Sequence, residues 1–256
     1  MSETATEHSL PSDINHEPLS AAGSKKIGIV VVHGFTGSPW SVRPVAEFFA
    51  EQGYAVEMPR LPGHGTRWQD MVETTYLQWL DEVDRAYWRL KADGHDVVLF
   101  GLSMGGGLAI RESIRREVAG TILVNPFVQD PTPALRFAKI ASRFSLTTEG
   151  ITSDIAKPGV DEGGYLRVPL KAAHQLHRLG QDTRPMLGAL KNPVLYFRSD
   201  QDHVVSDSSH RYFMKKVQSP IEFVSLNRSY HVATLDYDAP VILEKSLEFV
   251  RELESR

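Results

Sequence analysis

The pentapeptide Gly101-Leu102-Ser103-Met104-Gly105 sets a hydroxyl between two glycines, directly after an apolar run and directly before a stretch with helical spacing. A serine on so tight a strand-to-helix turn must take an unfavourable backbone conformation, and flanking glycines relieve the crowding. The turn lifts the hydroxyl above a sheet edge and sets it at a helix N-terminus, where backbone N–H groups stabilise developing negative charge. A serine hydroxyl is a weak nucleophile at neutral pH and needs an adjacent base. In this setting the partners follow in the chain order serine, acid, histidine. Of the ten histidines, His203, His210 and His231 lie beyond the fifth expected strand. His210 falls in an expected helix, and His203 sits beside the candidate acid. His231 follows the sixth expected strand, in a loop at the carboxyl edge where chemistry gathers in open α/β sheets.

The acid must hold the imidazole in one tautomer and stabilise its charged form. Asp200 and Asp202 both follow the fifth strand in Ser199-Asp200-Gln201-Asp202-His203. Physics alone leaves the pair open, although a residue two or three positions past a strand end reaches back more easily, which favours Asp202. An oxyanion needs two N–H donors. Met104, next after the serine, should supply one. The loop His33-Gly34-Phe35 after the first strand points to Phe35 for the other.

These groups require a frame. Ile27 to His33 is a β-branched run that reads as a strand buried on both faces, the signature of a parallel sheet. Strands are also expected near Tyr54 to Met58, and over Asp96 to Leu102, Gly120 to Asn125, Asn192 to Ser199 and Ile221 to Leu226, six in all. Helices should separate them. One carries Val42, Val45 and Phe49 and closes at Gly53. One repeats Tyr76, Leu80, Val83, Tyr87 and Leu90 and ends at Gly94. Others span Met104 to Val118, Ser206 to Val217 and Ala239 to Leu253, the last with Leu243, Leu247 and Val250 inward. Such alternation implies βαβ units with right-handed crossovers, hence an α/β fold with a mainly parallel sheet flanked by helices. Between the fourth and fifth strands the alternation lapses, too long a stretch for a plain connection. The expected division is a disordered or loose tail over 1–26, a core over 27–127 and 192–256, and a cap insertion over 128–191.

The 256 residues are 23% charged and 41% hydrophobic, with a formal net charge of -4 and no cysteine. Disulfides, thiolate catalysis and cysteine metal sites are excluded. A mildly acidic chain has no electrostatic pull toward nucleic acid. No apolar run reaches bilayer length, and the polar start lacks the features of a signal peptide. No stable membrane insertion is expected, and a cytoplasmic location is the default.

Other signals carry less. His174 and His177 share helical spacing but have no evident third ligand, so a solvated helix face is the simpler reading. His64, in Pro62-Gly63-His64-Gly65, precedes the serine and reads as structural. Leu135, Phe137, Ile140, Phe144 and Leu146 suit either an acyl tunnel or the anchoring of the cap. Arg111, Arg115 and Arg116 read as an exposed helix face.

Taken together, His33-Gly-Phe-Thr-Gly-Ser-Pro, Pro59-Arg-Leu-Pro-Gly-His-Gly-Thr, Gly101-Leu-Ser-Met-Gly-Gly, Ser199-Asp-Gln-Asp-His-Val-Val and Ser229-Tyr-His-Val-Ala-Thr-Leu-Asp-Tyr-Asp resemble the bacterial monoacylglycerol lipases and their close carboxylesterase relatives, of the α/β-hydrolase superfamily. The likeness runs from about Ile27 to Phe249. It implies an α/β-hydrolase fold with a small inserted cap, a Ser103–Asp202–His231 triad, and an oxyanion hole at Phe35 and Met104. It also implies hydrolysis of monoacylglycerols to glycerol and fatty acid, with neither metal nor organic cofactor, and at most transient contact with a lipid surface. Glu162 stands at the spacing of a cap glutamate that contacts the glycerol head, although Gly163 and Gly164 depart from the family pattern. A broad-specificity carboxylesterase acting on another short or medium acyl ester would share every one of these catalytic residues.

Overall fold

The computed structural model describes residues 13–129, 138, 140–142, 147–150 and 153–255. All six expected strands form: β2 (Ile27–Val32), β3 (Ala55–Met58), β4 (Asp96–Leu102), β5 (Gly120–Val124), β8 (Val194–Ser199) and β9 (Ile221–Leu226). They lie side by side in the order β3-β2-β4-β5-β8-β9, every pairing parallel. The residues of β2 are buried throughout, as its apolar, mostly β-branched run demands.

Helices cover both faces. On one lie α3 (Tyr76–Ala92) and α4 (Met104–Arg115). The expected stripe Tyr76, Leu80, Val83, Tyr87 and Leu90 is buried against the sheet there. A reciprocal capping box between Thr75 and Gln78 starts α3, and Gly94, at φ +88°, takes the left-handed turn that ends it. On the other face lie α1 (Arg43–Glu51) and α7 (Ala239–Glu254). The face α7 buries is Ile242, Phe249, Val250 and Leu253, while Leu243 and Leu247 are only partly covered. Of the expected positions Val250 lies in the seam, while Leu243 and Leu247 flank it.

The expectation of a loose tail up to Lys26 is corrected for the described residues. Leu19–Ala21 forms β1, a seventh strand that pairs antiparallel with β3, Leu19 opposite Met58. Side chains reinforce it: Ser20 Oγ donates to Glu57 Oε1 at 2.6 Å, Arg60 pairs with Glu17 at 3.0 Å, and Arg43 donates to the Glu17 carbonyl. A three-residue strand leaves no periodic signal. It forms because the open edge of β3 supplies unpaired backbone groups.

Between β5 and β8 the structure is not uniformly apart from the core. β6 (Thr147–Glu149) and β7 (Arg167–Pro169) make a small antiparallel pair. The next helix, α5 (Leu170–Thr183), buries Ala172, Leu176 and Leu179 in the same apolar cluster as α3 and α4. A stripe this regular packs onto the helical layer, so this part of the expected cap insertion adjoins the core. Arg111 and Arg116 are not a plain exposed face either. Arg111 donates to the Asp182 carbonyl at 2.9 Å, and Arg116 to Asp84 at 2.7 Å and Glu112 at 3.2 Å. Leu135, Phe137, Phe144 and Leu146 lie outside the described residues, while Ile140 is exposed. Among the described residues no helix is long and apolar enough to cross a membrane.

Candidate active site

Ser103 sits between β4 and α4 with φ +56° and ψ −118°, a conformation a non-glycine residue adopts only under constraint. Its N–H donates to the Val124 carbonyl at 2.9 Å, and its carbonyl accepts from Phe127 N–H at 2.9 Å and Gly107 N–H at 3.2 Å. These bonds hold the strained turn. The glycines are needed on contact grounds. A Cβ on Gly101 would stand 2.3 Å from the Gly105 carbonyl oxygen, and one on Gly105 would stand 2.2 Å from that of Val32. The hydroxyl is therefore presented where two backbones pass closer than any side chain allows.

His231 and Asp202 arrive from two separate loops. Asp202 Oδ1 lies 3.0 Å from His231 Nδ1 and also accepts the backbone N–H groups of Val204 at 2.9 Å and Val205 at 2.8 Å. Its Oδ2 accepts from Arg198 at 2.5 Å. Burial works to raise the Asp202 pKa, but the facing imidazole and Arg198 outweigh it and hold the carboxyl below its usual value. With Nδ1 donating to Asp202, Nε2 is left as the basic nitrogen. Asp200 is occupied elsewhere, accepting from Ser225 Oγ at 2.5 Å. His203 pairs with Asp154 at 2.8 Å, and His210 lies on α6 (Asp207–Lys216) against Tyr196 and Phe223.

Ser103 and His231 line one cavity of about 210 Å³ together with Phe35, Asp154 and Glu162. Phe127, Val168, Leu176, Val204 and Val205 give it apolar walls. Met104 is the first residue of α4, so its N–H is one of the donors a helix leaves free. Among the described residues neither Phe35 N–H nor Met104 N–H donates to a protein acceptor. Below the Phe35 loop the rings of His33, His64, Phe35 and Trp79 meet edge to face or tilted, with centroids 5.1 to 6.3 Å apart. His33 Nε2 accepts from Leu61 N–H at 3.2 Å, and its Nδ1 faces the Gly34 carbonyl at 2.9 Å. Both contacts are satisfied by the neutral ring, and burial pushes the His33 pKa down to about 4. His64 is likewise held neutral by burial, in keeping with a structural part.

Glu162 is a cavity-wall residue and not a freely exposed carboxylate. Its Oε1 accepts Ser153 N–H at 3.0 Å. Burial raises its pKa, with the Ser153 N–H and the charge of His231 opposing. His174 and His177 lie on α5 with ring centroids 6.4 Å apart, and among the described residues no group of three or more potential metal ligands occurs.

Three further residues complete the setting. Asn125, with φ +45°, donates from Nδ2 to Ser199 Oγ at 2.9 Å and to the His231 carbonyl at 2.8 Å. Asp154 accepts His231 N–H at 3.1 Å on its carboxylate, and its carbonyl accepts Val232 N–H at 3.1 Å. Arg198 is the third. Two of them carry a local mark: a polar residue closing the buried strand β5, and an arginine inside the apolar strand β8. Asp154 carries none.

Known proteins resemble this chain over nearly its whole length. Residues 29–242 match the model of the alpha/beta hydrolase family. A thermostable monoacylglycerol lipase of Bacillus sp. (strain H-257) is 40% identical over 235 residues, 91% of this chain and 93% of that protein. A solved structure of metagenome-derived lipolytic enzymes is 37% identical with a TM-score of 0.89, covering 93% of this chain and 98% of that one. A monoacylglycerol lipase from Paleococcus ferrophilus, 20% identical with a TM-score of 0.72 over 93% of this chain and 99% of its own, shares the fold.

Proposed function

The chain belongs to the alpha/beta hydrolase family, and from that premise we propose that it is a serine ester hydrolase cleaving monoacylglycerols to glycerol and fatty acid. The observation that carries this reading is the meeting of Ser103, Glu162 and the Asp202-bonded His231 on one apolar-walled cavity. Ser103 Oγ attacks the ester carbonyl as His231 Nε2 takes its proton. Asp202 holds Nδ1 and stabilises the imidazolium. The oxygen that gains charge is met by Phe35 N–H and Met104 N–H. His231 then protonates the departing glycerol, leaving the acyl group on Ser103. Water, deprotonated by the same imidazole, releases the fatty acid. Glu162 offers the glycerol hydroxyls an acceptor, and the apolar walls take the acyl chain. The relative of 40% identity, named a monoacylglycerol lipase, supports the substrate.

The test is hydrolysis of 1-lauroylglycerol against methyl laurate, with Ser103→Ala as the blank. One or two hydrogen bonds to the head group should favour the glycerol ester by about tenfold or more in kcat/KM. Equal rates, both abolished by Ser103→Ala, would leave a general carboxylesterase. Turnover surviving in Ser103→Ala would remove the proposed nucleophile.

A further inference from the structure

Arg198 is a charged side chain inside a buried strand, and it is itself 7% exposed. Its guanidinium reaches three acceptors: Asp202 Oδ2 at 2.5 Å, the Val205 carbonyl at 2.8 Å and Asp207 at 3.3 Å. Asp202 is therefore shared. One oxygen faces the His231 ring, while the other is held by a permanent cation. A buried arginine in such a place must be paired, and its fork fixes the carboxylate plane as well as its charge.

We propose that Arg198 is a positioning residue that sets the pH range in which the Asp202–His231 pair works, acting through the far oxygen of Asp202. The proposal rests on the serine-hydrolase reading. A carboxylate facing only an imidazole strongly favours the imidazolium. With Arg198 bound to the same carboxylate, part of that attraction is spent on the guanidinium, and the cation also opposes a second positive charge nearby. The Asp202–His231 pair, taken as one unit, then takes up a proton only at lower pH. Removing the cation takes one positive charge from beside the Asp202–His231 pair and eases protonation of Asp202, so the pair would take up a proton at higher pH. This carries the acid limb of activity upward. The other charged or titratable groups around the pair include Tyr196 from β8, Asp154 and Glu162 from the inserted segment, His203 from the acid loop, and Asp207 and His210 from α6. Asp207 keeps a second partner in Arg211 at 3.6 Å when Arg198 is lost.

The experiment is the pH profile of kcat/KM on a soluble lauroyl ester for the wild type, Arg198→Met and Arg198→Lys, each normalised to sites that react with an activated phosphonate. Arg198→Met should move the acid midpoint up by about one unit, the scale of a neighbouring charge. Arg198→Lys, which keeps the charge but not the fork, should lose turnover while its midpoint stays near the wild type. An unchanged midpoint in Arg198→Met would reduce Arg198 to a structural brace. A shift shared equally by both variants would assign the effect to geometry and overturn the proposal. Normalisation removes simple misfolding from the comparison. Failure of the underlying reading would look different: a wild type inert toward ester and phosphonate, or an active Ser103→Ala.

Discussion

Asn125 Nδ2 donates to the backbone carbonyl of His231 at 2.8 Å, so the end of β5 holds the loop that carries the candidate base. The same side chain brackets the end of β8, donating to Ser199 Oγ at 2.9 Å and accepting Ser199 N–H at 2.8 Å. Ser199 Oγ passes the link on to the Tyr230 carbonyl at 2.8 Å. One buried amide thus ties three carboxyl-edge segments together.

Asn125→Ala should therefore act on both stability and turnover. Three buried hydrogen bonds are lost and their partners left unpaired, about 3 kcal/mol in sum. The left-handed backbone at position 125 adds strain for alanine. The displaced His231 should lower kcat by about ten- to a hundredfold with little change in KM. Chemical denaturation and steady-state kinetics on one preparation read both effects, and a normal kcat would dissociate Asn125 from the base.

The two aspartates of the acid loop should separate cleanly. Asp202→Asn keeps the shape but cannot stabilise the imidazolium or enforce its tautomer, so kcat should fall on the order of 10⁴-fold. Asp200, bonded to Ser225 of β9, should tolerate asparagine within a few fold. Parallel kinetics of the two variants decide the assignment, and comparable losses would contradict it.

Glu162→Gln should raise KM for 1-lauroylglycerol while leaving methyl laurate hydrolysis nearly unchanged. The neutral amide retains an acceptor for Ser153 N–H, so the wall stays in place while the charged acceptor is lost. A loss shared by the two esters would make Glu162 a brace of the inserted segment and not a contact to the alcohol.

His33 should make folding sensitive to acid. Its folded pKa, about 4, lies below the ordinary 6.5 because burial penalises the charged ring. The unfolded chain then binds the extra proton, so this contribution is fully present above about pH 6.5 and is lost as pH falls toward 4. Its ceiling is about 3 kcal/mol. Glu112, raised to about 7 by burial, works in the opposite sense over part of that window. The informative quantity is therefore a difference. Denaturant midpoints from pH 7 to pH 4 should decline less steeply for His33→Gln than for the wild type. Parallel slopes would show that the buried ring does not govern acid lability.

The residue order by itself determined the kind of fold and the strand-to-helix turn that carries Ser103. Apolar, mostly β-branched runs such as Ile27–Val32 have one use, a strand covered on both faces, and helical spacing between them leaves parallel pairing as the consequence. Gly101 and Gly105 mark the turn because no side chain fits against the backbones crossing there. Those are local constraints, and local constraints are written in local patterns. The three-residue edge strand at Leu19–Ala21, the clasp of Asn125 on His231, the grip of Asp154 on the same residue and the pairing of Arg198 with Asp202 belong to the tertiary structure. Most of these join residues far apart in the chain, and where the partners are close, as with Arg198 and Asp202, burial rather than spacing commits them to each other. A buried polar group must find its partner among whatever the folded chain brings near, and no periodicity in the chain records which partner that will be.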